Sequence, residues 1–142
     1  MRSRIFDGDG AQAAYHELGH VLAFKSQGYR VSSVEVGKDS GCTVLPEQTV
    51  NAFDLIVGLC AGKAAVDRWY GYPARDDENW RKSNEYRDAY QVALKVSQNN
   101  RQAASLLMQW AECVAGAIVE EHWAEFHEPA RALVEYGKAK VM

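Results

Sequence analysis

Residues 13–22 read Ala-Ala-Tyr-His-Glu-Leu-Gly-His-Val-Leu, and the rest of the chain is best read outward from this run. It lies within a helical segment expected from about Asp9 to Gln27, with Gly28 as its C-terminal cap. On a helix, residues four apart are offset by roughly 40° and one turn of rise, so His16 and His20 project together. Ala14, Leu18, Val21 and Leu22 fall on another face, so the histidines form a stripe on a helix anchored by its opposite side. Two imidazoles so placed can reach one metal ion, and nitrogen ligands at about 2.0 Å suit tetrahedral Zn2+. Glu17 adjoins the first histidine, where it can serve as the catalytic general base towards a zinc-bound water whose pKa falls towards roughly 7. With four histidines in the chain, chance produces H-E-x-x-H in roughly one such sequence in a hundred, which favours a metal site over a solvated face.

An open zinc site needs a third protein ligand. His122 and His127 are five apart and read as surface or satisfied core residues. A carboxylate is the better candidate. Taking Glu85 as reference, Ala89, Val92, Ala93 and Val96 fall within about 80° of it on a helix, so Glu85 extends a core-facing stripe. A carboxylate there needs a cation, which zinc would supply. Asp88 lies off the stripe. Asp77 is the alternative third ligand, in a polar loop with Asp76 and Glu78.

Around this centre the chain reads as helices and one hairpin. Arg30 to Val36 alternates and is rich in β-branched residues, and Gly41 to Leu45 follows the turn-like Lys38-Asp39-Ser40. Asn51 can cap a second helix reaching Trp69, stopped by Gly71-Tyr72-Pro73. That helix is apolar nearly all round and belongs at the centre, with Gly58, Ala61, Gly62, Ala64 and Ala65 permitting close approach. A polar loop over Pro73–Glu78 leads to a third helix over about Asn79–Ser97 and a fourth over about Gln102–His127. Pro129 either kinks the last segment or opens a short helix through Tyr136, ended by Gly137. The expected fold class is α+β, predominantly helical, with one small β-hairpin, in a single domain over 1–142 whose residues 1–8 carry no signal that decides between order and disorder.

Composition excludes several classes. The 142 residues are 47% hydrophobic and 25% charged, the proportions of a globular domain. Sixteen basic residues against 19 acidic ones give a net charge of -3 with no basic stripe, so nucleic acid is not an expected partner. Met1-Arg-Ser-Arg precedes Ile-Phe-Asp-Gly-Asp-Gly rather than an apolar core, which argues against an export signal. Ala103 to Val119 falls short of a membrane span and carries Gln109 and Glu112. Cys42, Cys60 and Cys113 form no C-x-x-C pair, so reduced thiols and a cytoplasmic location are expected. Cys60 and Cys113 read as small apolar fillers, and the four tryptophans as packing residues.

A-A-Y-H-E-L-G-H-V-L resembles the zinc helix of the FtsH family, membrane-bound ATP-dependent zinc peptidases whose motif commonly reads A-Y-H-E-A-G-H. V-S-S-V-E-V with G-C-T-V-L-P-E is similar to that family's following strand pair. G-L-C-A-G-K-A-A-V-D-R-W-Y-G resembles its L-x-G-G-R-A-A-E-x-x-x-F-G helix, Ser83 to Ala89 its S-N-D-L-E-R-A segment, and Ile118 to Gly137 its C-terminal helices. The resemblance implies a helical peptidase fold with zinc held by His16, His20 and an acidic residue. Glu85 stands where the family has aspartate. No P-loop and no membrane span are present, so the chain is expected to cleave flexible or unfolded polypeptide or to work with a separate ATPase partner. The family also implies substrate bound along an edge strand, for which Val31, Ser33 and Val34 on one strand, or Cys42 to Leu45 on the other, are the candidates. H-E-L-G-H occurs too in ImmA/IrrE-type repressor-cleaving peptidases, whose E-x-x-A-N-x-F-A segment is poorly matched after Glu85. The alternative from another class is a catalytically silent relative acting as a binding or regulatory module. Retention of Glu17 argues against it.

Overall fold

The computed structural model describes residues 5–37, 41–71 and 77–140. Helix α1 (Ala11–Ser26) begins after Gly10 at φ 82° and ends where Gly28 turns left-handed at φ 92°. There the Tyr29 N–H donates to the Phe24 carbonyl and the Gly28 N–H to the Lys25 carbonyl, both at 3.0 Å. This paired closure is the cap that a left-handed glycine permits. Strand β1 (Ser33–Val36) pairs antiparallel with β2 (Gly41–Val44), as the alternating pattern predicts. The turn at Lys38–Ser40 lies outside the described residues, as do Tyr72 to Asp76.

Asn51 caps α2 (Ala52–Tyr70), its side chain accepting the Phe53 N–H at 2.8 Å. The predicted third helix is two: α3 (Asp77–Lys82) and α4 (Asn84–Val96). Ser83 divides them, its hydroxyl donating to the Trp80 carbonyl at 2.6 Å and accepting the Tyr86 N–H at 3.1 Å. That cap places Glu85 in the first turn of α4, four residues before buried Ala89 and eight before buried Ala93. Helix α5 (Arg101–Glu121) is followed by a 3₁₀ turn at Trp123–Glu125 and by α6 (His127–Tyr136), which Gly137 ends at φ 76°. Pro129 therefore sits in the first turn of a separate helix, where its missing N–H costs nothing.

Beyond the hairpin, β3 (Lys138–Lys140) pairs with the other side of β1, giving the order β2-β1-β3. The fold is thus predominantly helical α+β, with α2 at its centre against α1, α4 and α5. One core layer joins α1 to the sheet and α6 through Tyr15, Leu18, Val34, Phe126 and Leu133. A second joins α2 to α4 and α5 through Ile56, Val57, Ala89, Ala93, Met108 and Ala111. Gly19 is where α1 and α2 touch: a Cβ there would lie far inside contact distance of the Ala61 carbonyl oxygen. Among the described residues, no helix is long and apolar enough to cross a membrane.

One expectation about a side chain needs correction. Cys60 is buried, and burial pushes its thiol pKa up, but Cys113 is exposed because it falls on the outer face of α5. Near the start of the described residues, the Phe6 N–H donates to the Tyr15 hydroxyl at 2.9 Å, and Trp69 Nε1 donates to the Phe6 carbonyl at 3.0 Å.

Candidate metal centre

Helix α1 delivers both histidines to the same point over α2. His20 is buried, and its Nδ1 lies 2.7 Å from the Gly58 carbonyl oxygen. A carbonyl only accepts, so Nδ1 carries the proton and Nε2 of the neutral ring presents its lone pair. The His16 and His20 Nε2 atoms are 3.2 Å apart, and Glu85 Oε2 is 3.1 Å from each. Gly62 leaves the room for this meeting, since a Cβ there would stand 2.6 Å from His20 Nε2 and 2.8 Å from His16 Nε2.

These three atoms fit a zinc ligand set. Tetrahedral bonds of about 2.0–2.1 Å separate neighbouring ligand atoms by about 3.3 Å, close to the spacing here. Bare imidazole lone pairs and a carboxylate repel one another unless a cation or a shared proton joins them. The second oxygen of Glu85, Oε1, is buried without a hydrogen-bond partner. His16, His20 and Glu85 are the metal-capable group that the described residues contain. The Gly58 carbonyl supplies the outer hydrogen bond that would orient His20 as a ligand.

The electrostatics follow. Burial alone would lower the His20 pKa, but the hydrogen bond and charge of Glu85, the Gly58 carbonyl and the Glu17 charge outweigh it and raise it above 6.5. Burial raises that of Glu85, yet hydrogen bonds and charge from His16 and His20 prevail and bring it down to about 2. The cluster favours a carboxylate facing positive charge, the state that a bound cation also demands.

Glu17 is buried beside this group. Its Oε1 accepts the Thr43 hydroxyl at 2.9 Å, while Oε2 lies 4.0 Å from His16 Nε2. One oxygen is thereby fixed to β2 and the other turned to the metal group. Gly41 backs the side chain, and a Cβ there would collide with Glu17 Cγ.

Compared with known proteins, the chain matches no family model and no curated sequence.

The remaining predicted residues separate cleanly. Asp77 opens α3 instead of lying in a loop, and it pairs with Lys63 Nζ at 2.6 Å; Lys63 also bonds Asp67. Asp77 is therefore not brought to the histidines. Asp88 is exposed. His127 is buried with Nδ1 2.7 Å from the Tyr15 hydroxyl, and His122 pairs with Glu125, both away from the site. The edge-strand reading of Val31, Ser33 and Val34 is corrected: Ser33 and Val34 lie in β1, which is paired on both sides, and Val31 is buried. Among the described residues, β2 is an edge strand beside the site.

Two of the clefts at this group reach both Glu17 and Glu85. The larger, about 760 Å³, is walled by the 8–13 segment, Gly41 and Trp69 and reaches His16, Glu17 and Glu85. The smaller, about 290 Å³, runs under β2 between Glu17, His20 and Glu85 and the apolar Phe24, Leu45, Leu55 and Leu59. Sequence reading missed Thr43, Gly41 and the Gly58 carbonyl. None of these stood out locally: in Cys42-Thr43-Val44 it is the polar residue that is half-buried, between two exposed apolar ones.

Proposed function

We propose that the chain is a zinc metalloendopeptidase that hydrolyses flexible or unfolded polypeptide. The observation that carries the reading is the convergence of His16 Nε2, His20 Nε2 and Glu85 Oε2 within 3.2 Å, with Glu17 Oε2 4.0 Å from His16 Nε2. Zinc, when bound by these three side chains, supplies Lewis acidity for the scissile carbonyl and makes water a nucleophile near neutral pH. Glu17 acts as the general base through Oε2 and afterwards passes the proton to the leaving amine. Thr43 holds its other oxygen, so the base stays aimed. His20 is kept in the ligating tautomer by Gly58. An extended substrate adds to the free edge of β2 at Cys42–Val44, rather than to β1, with backbone hydrogen bonds that do not depend on side-chain identity. Such binding requires an extended chain, which supports unfolded polypeptide as substrate. The FtsH-type resemblance of the H-E-L-G-H and G-K-A-A helices agrees with this assignment, with Glu85 in the place of aspartate and a separate ATPase as the partner that would unfold folded substrates.

The test is hydrolysis of an unfolded casein-type substrate by zinc-loaded protein. The Glu17→Gln variant is expected to keep stoichiometric zinc and to lose at least about a hundredfold in rate, the scale of general-base catalysis. Stoichiometric zinc with no hydrolysis by the wild type would instead assign a binding module.

A further inference from the structure

Helices α1 and α2 run antiparallel, so their contacts climb in step. Gly19 meets Ala61, the two histidines meet Gly62, and Gln12 meets Tyr70, whose hydroxyl donates to Gln12 Oε1 at 2.7 Å. Gln12 stands one turn before His16 and so continues the face of α1 that carries the histidines. It lines both the 760 Å³ cleft and a neighbouring one of about 480 Å³, and the other residues these two share are His16 and Glu85. An exposed glutamine ordinarily turns freely and offers water a donor end and an acceptor end. Gln12 is exposed, but its acceptor end is taken. Tyr70 is itself held: its ring packs against Trp69 at 4.7 Å, and Trp69 stacks at 5.9 Å on buried Tyr15 and bonds the Phe6 carbonyl through Nε1. Among the described residues, nothing accepts from Gln12 Nε2. Two N–H donors are therefore presented to whatever lies in the cleft beside the metal group.

We propose that Gln12 is a substrate-binding residue, donating from Nε2 to a backbone carbonyl of the polypeptide about two residues from the bond that is cleaved. The inference rests on the metallopeptidase reading and extends it to the part of the substrate beyond the scissile bond. The spacing follows from the two backbones. One helical turn separates Gln12 from His16 by about 6 Å along α1. An extended chain covers about 3.3 Å per residue, so its carbonyl level with Gln12 lies about two residues from the peptide level with His16. The chemistry follows from the Tyr70 bond. With Oε1 occupied, the carboxamide reads acceptors, and every residue of a polypeptide supplies one in its carbonyl. Such a contact is indifferent to side-chain identity, as addition along β2 is. A substrate that stops short of this position forgoes the bond, so the anchor rewards longer chains. Tyr70 does not touch the substrate; it is a positioning residue that holds the carboxamide with its donors outward.

Calorimetric binding of alanine-peptide hydroxamates to the zinc-loaded full chain tests this. One series extends N-terminally from the metal-binding hydroxamate and a second extends C-terminally, each from one residue to three. In the wild type, lengthening is expected to strengthen binding about three- to tenfold in one of the two series, the contribution of a single hydrogen bond. The increase is read as the ratio of long to short probe within each protein, so a general effect of a variant on the metal group cancels. Gln12→Glu keeps an acceptor for the Tyr70 hydroxyl but presents no donor when ionised, so it should abolish the increase with the melting temperature unchanged. Tyr70→Phe keeps the donor and frees the carboxamide to turn, so it should lose part of the increase. No increase in either series, or one that persists in Gln12→Glu, overturns the inference and leaves the metal centre standing. A zinc-loaded wild type that fails to bind even the shortest hydroxamate overturns the metallopeptidase reading, and the inference with it.

Discussion

Gly62→Ala separates metal binding from folding more sharply than removal of a ligand. The new Cβ would stand 2.6 Å from His20 Nε2 and 2.8 Å from His16 Nε2, whereas ordinary contact begins at 3.4 Å. The shortfall of about 0.8 Å must be met by the imidazoles, because α2 is wedged against the α1 backbone at Gly19–Ala61 and against α5. Metal sites tolerate ligand displacements of about 0.2 Å, so a shift several times larger breaks the three-atom match. A loss of zinc affinity of at least about a hundredfold is expected, at or beyond the upper end of what lost supporting contacts cause. Alanine in the interior of a 19-residue helix meanwhile gains about 1 kcal/mol of helix propensity over glycine. The metal-free variant should therefore melt within about 5 °C of the wild type. The assay is competition with a chromophoric chelator, paired with thermal unfolding in chelator. Wild-type affinity in Gly62→Ala would refute the placement of the metal against this glycine.

Two further outcomes follow from the same geometry. Gly19→Ala should lower stability by about 1–3 kcal/mol in urea unfolding despite the better helix former, because its Cβ meets backbone at Ala61 and the two helices must part; an unchanged midpoint would contradict that contact. In chelator, the raised pKa of His20 means its contribution is complete below pH 6.5 and fades as pH rises through the folded value. Glu85, depressed from 4.5 to about 2, contributes fully above pH 4.5 and loses that contribution as pH falls towards 2. These two groups therefore favour maximum metal-free stability between about pH 4.5 and 6.5. Zinc needs neutral imidazoles, so its added stabilisation should grow above that window and vanish below about pH 6. A zinc-induced melting shift independent of pH would overturn the ligand assignment.

Features governed by local periodicity could be read from the sequence. The H-E-L-G-H helix, its Gly28 cap, the hairpin and the all-apolar α2 each rest on residues within one or two turns of one another. Glu85 emerged because a carboxylate on a core-facing stripe needs a cation. What escaped depends on tertiary contact. The strand Lys138–Lys140 is three residues long with no alternation to read, and it forms because β1 offers a second edge. Its pairing is also what removed Ser33 and Val34 from the exposed edge. Asp77 matched Glu85 in chemistry, and only the fold shows that Lys63 takes it. Ser83 split the third helix because its hydroxyl caps at the point where the stripe appeared continuous. The support of Glu17 by Thr43 joins residues 26 apart and leaves no local trace.

Zinc stoichiometry and affinity of Glu85→Ala beside Asp77→Ala test the central claim, that His16, His20 and Glu85 form one metal centre, most directly. One zinc per chain is expected in the wild type and in Asp77→Ala, with affinity lost at least about a hundredfold in Glu85→Ala. Equal affinities in the two variants, or a wild type that takes up no zinc on reconstitution, would contradict it.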